Sequence, residues 1–538
     1  MQTPCSRSVL PACARMITEI TRRQGFVDML RTILEDNNAP LPLKRRALQI
    51  ALLFMCGVNQ MSPGAYILRC TDLLTICLAL LRRSESASFS VECVLLLALL
   101  ANYHKSDASA LNAFLKGVKE AKDDAAFAQI CVSVQVVCAS TVRIYQDVSD
   151  DTPPSIVSAF STMLSSLRPD KAFASTHVDI RDQFKHLPPA QTVVLFAAHE
   201  FMHESASFRA VLIVDTKSDN GTVAPCLHTL LSMSSYLFTH GSASPRSVAY
   251  ASLALNILAV ISNHDDILAA LSSEPAKGSK DIWLCRQREP PLPLSSAARP
   301  ALASLLDVCI LFIRHNMQKR LEVQSYLTCI SVLHRVLRYM YGQRMRFVYH
   351  WEELWKSLIS LLDFMATKLD TNSVPRADEL MQHVIILLRA ALLASEAILP
   401  TPAAVHQFLY ELVRSAHVLA KHKAALPYTS TRTSAAHKRG QTLVRTASRS
   451  MAELEKVIAH YSDKLAGKDT SGRTVETVMA SIRSEVDRNG IFGLSADGSD
   501  AAADVEDLET ESEDISATSF LTWACSDGFS LVPLQYSY

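Results

Sequence analysis

Trp351-Glu352-Glu353-Leu354-Trp355-Lys356-Ser357-Leu358-Ile359-Ser360-Leu361-Leu362-Asp363-Phe364-Met365 carries its large apolar side chains at helical spacing. Trp351 and Trp355 stand at i and i+4 and share a face with Leu358 and Leu362, so the stretch predicts an α-helix with one apolar stripe. An aromatic stripe at this spacing reads first as core, so Trp351, Leu354 and Trp355 are expected to be structural. The other reading is a partner-binding groove, because Trp is enriched at such sites.

The pattern recurs in both directions along the chain. Leu48, Ala51, Leu52 and Met55 form one stripe, and Leu95, Leu96 and Leu99 another. Val308, Leu311 and Phe312, then Ile330, Leu333, Val336 and Leu337, repeat it downstream. Starts are marked by Thr71-Asp72 ahead of Leu73 and by Thr401-Pro402, where Pro at the first helical position sacrifices no hydrogen bond. Roughly 16–19 helices of ordinary length follow from these signals. Glycine supports them: only 15 occur in 538 residues, too few for the turns of a nucleotide-binding α/β fold.

A chain of 538 residues exceeds what one core can serve, roughly 250–300 residues. Helices joined by short loops bury their stripes best by pairing and stacking. The expected fold is therefore all-α, an armadillo/HEAT-like α-solenoid of degenerate helical repeats with a disordered C-terminal tail. No strict repeat period is visible.

Breaks in the pattern divide it. Residues 1–271 are expected to form an N-terminal helical array and 272–298, with Pro275, Pro290, Pro291 and Pro293, a linker. Residues 299–420 form a second array, 421–450 a basic Ser/Thr-rich linker, 451–490 terminal helices and 491–538 an acidic, mostly disordered tail. Within that tail Asp497–Asp514 holds nine acidic residues and no basic one. The apolar Phe520, Leu521, Trp523, Phe529, Leu531 and Leu534 follow it and could dock on the body or on a partner.

The 53 basic and 53 acidic residues cancel, which gives no global attraction to nucleic acid. The 13 cysteines are scattered and never spaced C-x-x-C; several lie in apolar helical stretches, as reduced, packed thiols do. Val9–Ala14 is too weak for a secretory signal. No segment makes a good transmembrane helix: Ser247–Asn263 is only 17 residues and carries Ser252, Asn256 and Ser262, and Phe89–Ala101 includes Glu92. Both read better as buried solenoid helices.

Two constellations invite chemistry. His199-Glu200-Phe201-Met202-His203 matches H-E-x-x-H, with both imidazoles on one helical face and Glu200 as a general base. A zinc metallohydrolase is the enzymatic alternative. Against it, Ala206 and Arg209 stand where a metzincin needs Gly and His, no third ligand follows, and Glu204 puts a charge beside the second His. No G-x-S-x-G, P-loop or G-x-G-x-x-G occurs, so no catalytic residue, metal, cofactor or small-molecule substrate is expected. The other constellation is Lys421, Lys423, Arg432, Lys438, Arg439, Arg445 and Arg449, with no acid among them. It reads as a solvated linker or as a contact for an anionic membrane, where each cation is worth ~1 kcal/mol.

Several stretches resemble one family, the armadillo-like helical domain-containing protein 3 family of eukaryotes. They are Leu95 with Ala98 to Tyr103, Tyr326 to Tyr341, Tyr349-His350-Trp351-Glu352-Glu353-Leu354-Trp355-Lys356-Ser357-Leu358-Ile359, and Leu399 to Pro402 leading into Tyr410 to Arg414. The resemblance runs, with gaps, from about residue 40 to about 490. It implies an armadillo-like solenoid without catalytic residues, cytosolic and peripheral at the Golgi. It also implies partners: a beta-type phosphatidylinositol 4-kinase and a Golgi Arf guanine-nucleotide exchange factor. Against the family pattern, the chain begins inside the array, and after about Gly490 the C-terminal helices give way to the acidic tail.

Overall fold

A computed structural model of the chain describes residues 25–57, 72–102, 112–151, 180–217, 223–273, 282–294, 299–318, 321–368, 374–423, 438–466, 475–491 and 517–532. The chain divides into two compact units. The first is built from Met1–Val260, Lys277–Gln287 and Ile515–Tyr538, the second from Ile261–Ala276 and Arg288–Asp514.

The first unit contains α1 (Gly25–Glu35), α2 (Leu41–Gly57), α3 (Leu73–Leu81), α4 (Ser90–Asn102), α5 (Ala113–Glu120), α6 (Asp124–Val148), α7 (Ile180–Lys185), α8 (Val194–Glu204), α9 (Ala206–Leu212), α10 (Cys226–Thr239) and most of α11 (Pro245–Ser262). Alternate helices stack. α2, α4 and α8 pack in succession as one layer, and α1, α3, α6 and α10 as the other. Helix α4 is apolar on nearly all sides and is buried from Glu92 to Asn102, as a helix enclosed by neighbours must be. Its one charge, Glu92, is met by Arg45 of α2 at 2.8 Å. Asp123 caps α6 by accepting from the Ala126 amide at 3.2 Å, and Arg82 beyond the end of α3 meets the same carboxylate at 2.8 Å.

The second unit shows the solenoid most plainly. It contains α12 (Asp265–Ser272), α13 (Ala301–His315), α14 (Val323–Gly342), α15 (Trp351–Thr367), α16 (Ala377–Ile398), α17 (Pro402–Arg414), α18 (Lys438–Ala466) and α19 (Val475–Asn489). Helices α13, α15, α17 and α19 stack as one layer and α14, α16 and α18 as the other. Cross-pairs α13/α14, α15/α16 and α17/α18 close each hairpin. Helix starts recur 50 to 61 residues apart within a layer, except for the 73 between α17 and α19. The chain is thus an all-α, armadillo-like array of degenerate helix pairs, as the stripes predicted. Thr401 caps α17 by accepting from the Ala404 amide at 3.3 Å, with Pro402 in the first turn.

A short antiparallel hairpin, β1 (Asp215–Lys217) with β2 (Val223–Pro225), is a minor interruption of the helices. Four expectations need correction. The 282–294 part of the expected linker lacks regular structure, yet its first residues strap onto the first unit. There the Trp283 and Cys285 amides donate to the Ser232 and Ser235 hydroxyls at 3.1 and 2.9 Å, which satisfies backbone groups a free linker would leave to water. Pro275 lies outside the described residues.

The basic segment is not an extended linker where it is described. Residues 416–423 are helical, and 438–450 open α18. Val444, Ala447, Met451 and Leu454 recur at three- and four-residue spacing and are buried, so the apolar stripe prevails over the polar composition around it. Nor is all of 491–538 disordered: α20 (Leu521–Ser530) docks on α2, α4 and the 3-10 turn Ala190–Val193. Asp497–Asp514 lies outside the described residues.

Three helices, α6, α11 and α16, are long and apolar enough to cross a membrane, contrary to the sequence-based expectation. Between 56% and 72% of each apolar window is buried inside the array, where the stripes pack on neighbouring helices.

Candidate functional site

Helix α15 organises the second unit's exposed chemistry. Trp351, Leu354, Trp355, Leu358 and Leu362 are buried, which places the sequence motif in the core. The indole rings of Trp351 and Trp355 stack at 5.8 Å, and Trp355 stacks on Phe408 of α17 at 4.2 Å. Stacked pairs of this kind add ~0.5–1.5 kcal/mol to what their buried area supplies.

The entry to α15 is fixed by one buried carboxylate. Asp307 of α13 accepts from His350 Nε2 at 2.7 Å and from the Tyr349 hydroxyl at 2.9 Å, and pairs with Arg299 at 2.6 Å. Burial, and then the Asp307 charge, push the Tyr349 phenol well above its usual range, so it remains a donor. Through its bonds to Tyr349 and His350 this buried carboxylate holds the Tyr349-His350-Trp351 corner onto α13.

At the other end of α15 lies a cleft of about 550 Å³. Met317, Ile359, Phe364 and Val418 give it apolar walls; Arg314, Lys368 and Arg414 bring positive charge and Asp363 one carboxylate. Arg314 is tethered, its Nε donating to Ser357 Oγ at 2.9 Å and its other arm pairing with Glu353. Arg414 pairs with Glu411 at 2.7 Å. His422 Nε2, donating to the Leu362 carbonyl at 2.8 Å, holds segment 416–423 against α15. The cleft can receive an apolar side chain flanked by an anionic group. Sequence reasoning missed it because it is assembled from the ends of helices about 50 residues apart.

The basic constellation does not converge on one point. Lys421 lies 3.9 Å from Asp363, and Lys423 pairs with Glu455 at 2.8 Å. Arg445 and Arg449 ride the exposed face of α18, where Arg449 meets Glu453 at 3.0 Å. Lys438 and Arg439 start that helix, their side chains outside the described residues, as is Arg432 altogether. Partly neutralised cations on two elements make a diffuse positive surface, not a pocket.

H-E-x-x-H does fall on a helix, α8, with the two imidazoles parallel at 5.8 Å. His199 and Glu200 are fully buried and bonded to each other through Nδ1 and Oε1 at 3.0 Å. His203 faces Glu204 at 2.9 Å, and Glu204 also meets Lys119 at 3.1 Å. Among the described residues no third His, Cys, Asp or Glu joins the pair in a metal-holding group. Two imidazoles alone fall one short of the three protein ligands of a catalytic zinc.

The ladder α13–α19 is also where a known family matches. The family described as armadillo-like helical domain-containing protein 3, C-terminal, matches residues 299–500. Residues 299–500 therefore resemble the C-terminal segment of that family. A fission yeast protein, named UPF0588 membrane protein C20F10.02c, is 27% identical over 319 residues, 59% of this chain and 51% of its own length. The human armadillo-like helical domain-containing protein 3 is 31% identical over 118 residues, 22% of this chain and 17% of its own; the zebrafish protein of that name is 29% identical over the same length. The matched region thus spans about half of the fission yeast relative and less of the vertebrate ones. No solved structure matches the chain significantly. The family segment begins at Arg299, the residue that pairs with Asp307, and takes in the Trp351–Trp355 stack and the cleft beside α15.

Proposed function

We propose that this protein is a non-catalytic scaffold, cytosolic and peripheral at Golgi membranes. It would bind and position a beta-type phosphatidylinositol 4-kinase, a Golgi Arf exchange factor, or both. The observation that carries the reading is the match of residues 299–500 to the armadillo-like helical domain-containing protein 3 C-terminal family, on a segment folded as a helical ladder. Such a surface acts by raising the local concentration of an enzyme at its membrane, without altering the enzyme's chemistry. The cleft beside α15 and the cations Lys421, Lys423, Arg445 and Arg449 are the surfaces on which partner and membrane contact are to be sought. Affinity purification of the tagged protein from its own cells tests the reading. Recovery of the kinase or the exchange factor supports it; an intact, folded bait that recovers neither removes it.

A second reading has one observation in its favour. The fission yeast relative is named a membrane protein, and α6, α11 and α16 have the length and apolarity of membrane spans. Alkaline carbonate extraction separates the two: a peripheral scaffold is released, an integral protein stays with the lipid.

A further inference from the structure

Helix α20 returns to the first unit at an unusually close approach. A Cβ placed on Gly528 would stand 2.8 Å from the Cys56 sulfur of α2 and 3.1 Å from Leu95 Cδ2 of α4, so only glycine lets the helices meet here. One turn earlier on the same face of α20 stands Cys525, whose thiol lies near enough to that of Cys56 for each to shift the ionisation of the other. The other thiol neighbours, Cys77 with Cys93, Cys131 with Cys226 and Cys309 with Cys329, are wholly buried. Among the described cysteines only Cys56 and Cys525 are partly exposed. Oxidants therefore reach this pair and are kept from the rest.

We propose that Cys56 and Cys525 form a reversible disulfide that clasps α20 to α2, with a low-molecular-weight disulfide such as oxidised glutathione as the oxidant. Cys525 is the attacking thiol, since the neighbouring Cys56 thiol stabilises its thiolate and holds its pKa below the ordinary cysteine value. Its thiolate attacks one sulfur of glutathione disulfide; that S–S bond breaks and the first glutathione leaves as a thiolate with the bonding electron pair. The leaving thiolate takes the proton of Cys56. Cys56 then attacks the Cys525 sulfur of the mixed disulfide and expels the second glutathione, which is protonated from solvent. Two protein thiols have given up two electrons, and one glutathione disulfide has become two glutathiones. The bond formed would hold the sulfurs at about 2.05 Å.

The full-length protein, folded and equilibrated in glutathione buffers of rising disulfide fraction, is alkylated, digested and mapped by mass spectrometry. A peptide linking Cys56 to Cys525 is expected, with the three buried pairs alkylated only after denaturation. Cys525→Ser should abolish the link. Gly528→Val, whose side chain would press on the Cys56 sulfur and Leu95 and force the helices apart, should lower its yield severalfold. Cysteines that stay reduced throughout, that carry separate glutathiones at the end point, or that link elsewhere in the folded chain would overturn the proposal. An undiminished yield in Gly528→Val would also overturn it, since the close approach would then be irrelevant.

Discussion

Arg246 Nη1 donates to Asp527 Oδ1 at 2.6 Å across 281 residues of chain. Tyr250, one turn along α11 from Arg246, donates to the other oxygen of the same carboxylate. Asp527 is buried, so the docking of α20 depends on a carboxylate with both oxygens occupied. Asp527→Ala leaves Arg246 without its partner in a largely buried place and should cost about 3 kcal/mol of docking stability. Hydrogen exchange over 517–532 checks this: those amides should lose protection while α13–α19 keep theirs.

Trp355 has no exposed surface, and its indole Nε1 is buried without a hydrogen-bond partner. The N–H therefore contributes nothing, and the ring's contacts supply the stability. Trp355→Ala should cost ~3–5 kcal/mol in urea unfolding of the second unit. Trp355→Phe, which keeps the stack on Phe408 and removes an unsatisfied donor, should cost less than half of that.

The contrast between these sites shows what the sequence makes legible. The stripes of α2, α4, α13, α14 and α15 are read directly from leucines and tryptophans at helical spacing, because a strong apolar period overrides local propensity. Val444, Ala447, Met451 and Leu454 form a stripe of the same kind, but hydroxyls and cations crowd it, and composition misled where periodicity held. Helix α20 is harder still, a ten-residue helix whose docking is decided by Arg246 and Cys56, far away in sequence. The cleft at Arg314, Phe364 and Arg414 leaves no trace in any single segment. It exists only after three helix ends are brought together.

His334 in α14 is held down to about 4, first by burial of the ring and then by the nearby Arg338 charge. Burial likewise lowers His422. A depressed folded value means the unfolded chain binds the proton first. The stability these groups support is therefore full above about pH 6.5 and lost as pH falls toward 4. His334→Phe should flatten the acid limb of a urea midpoint against pH curve, by about 3 kcal/mol at pH 4 relative to wild type.

Arg445 and Lys423 offer a direct check on membrane contact. If each engages an anionic surface, the double variant Lys423→Glu/Arg445→Glu should lower flotation with phosphatidylserine vesicles at least tenfold, at ~1 kcal/mol per cation and more for reversal. Added salt should erase the difference between wild type and variant.

Metal analysis of the purified protein should find well under one zinc per chain, unchanged by Glu200→Gln. Among the described residues no third ligand joins His199 and His203, so affinity should fall short of a retained ion.

The return of α20 also sets an order of events during synthesis. Helices α2 and α4 leave the ribosome early, but the segment that covers their outer face follows only after the whole of α12 to α19 has been translated. At ordinary elongation rates of ~5–20 residues per second, that leaves the face bare for tens of seconds. A nascent chain in that state presents Leu52, Leu95 and Phe196 to solvent until α20 arrives.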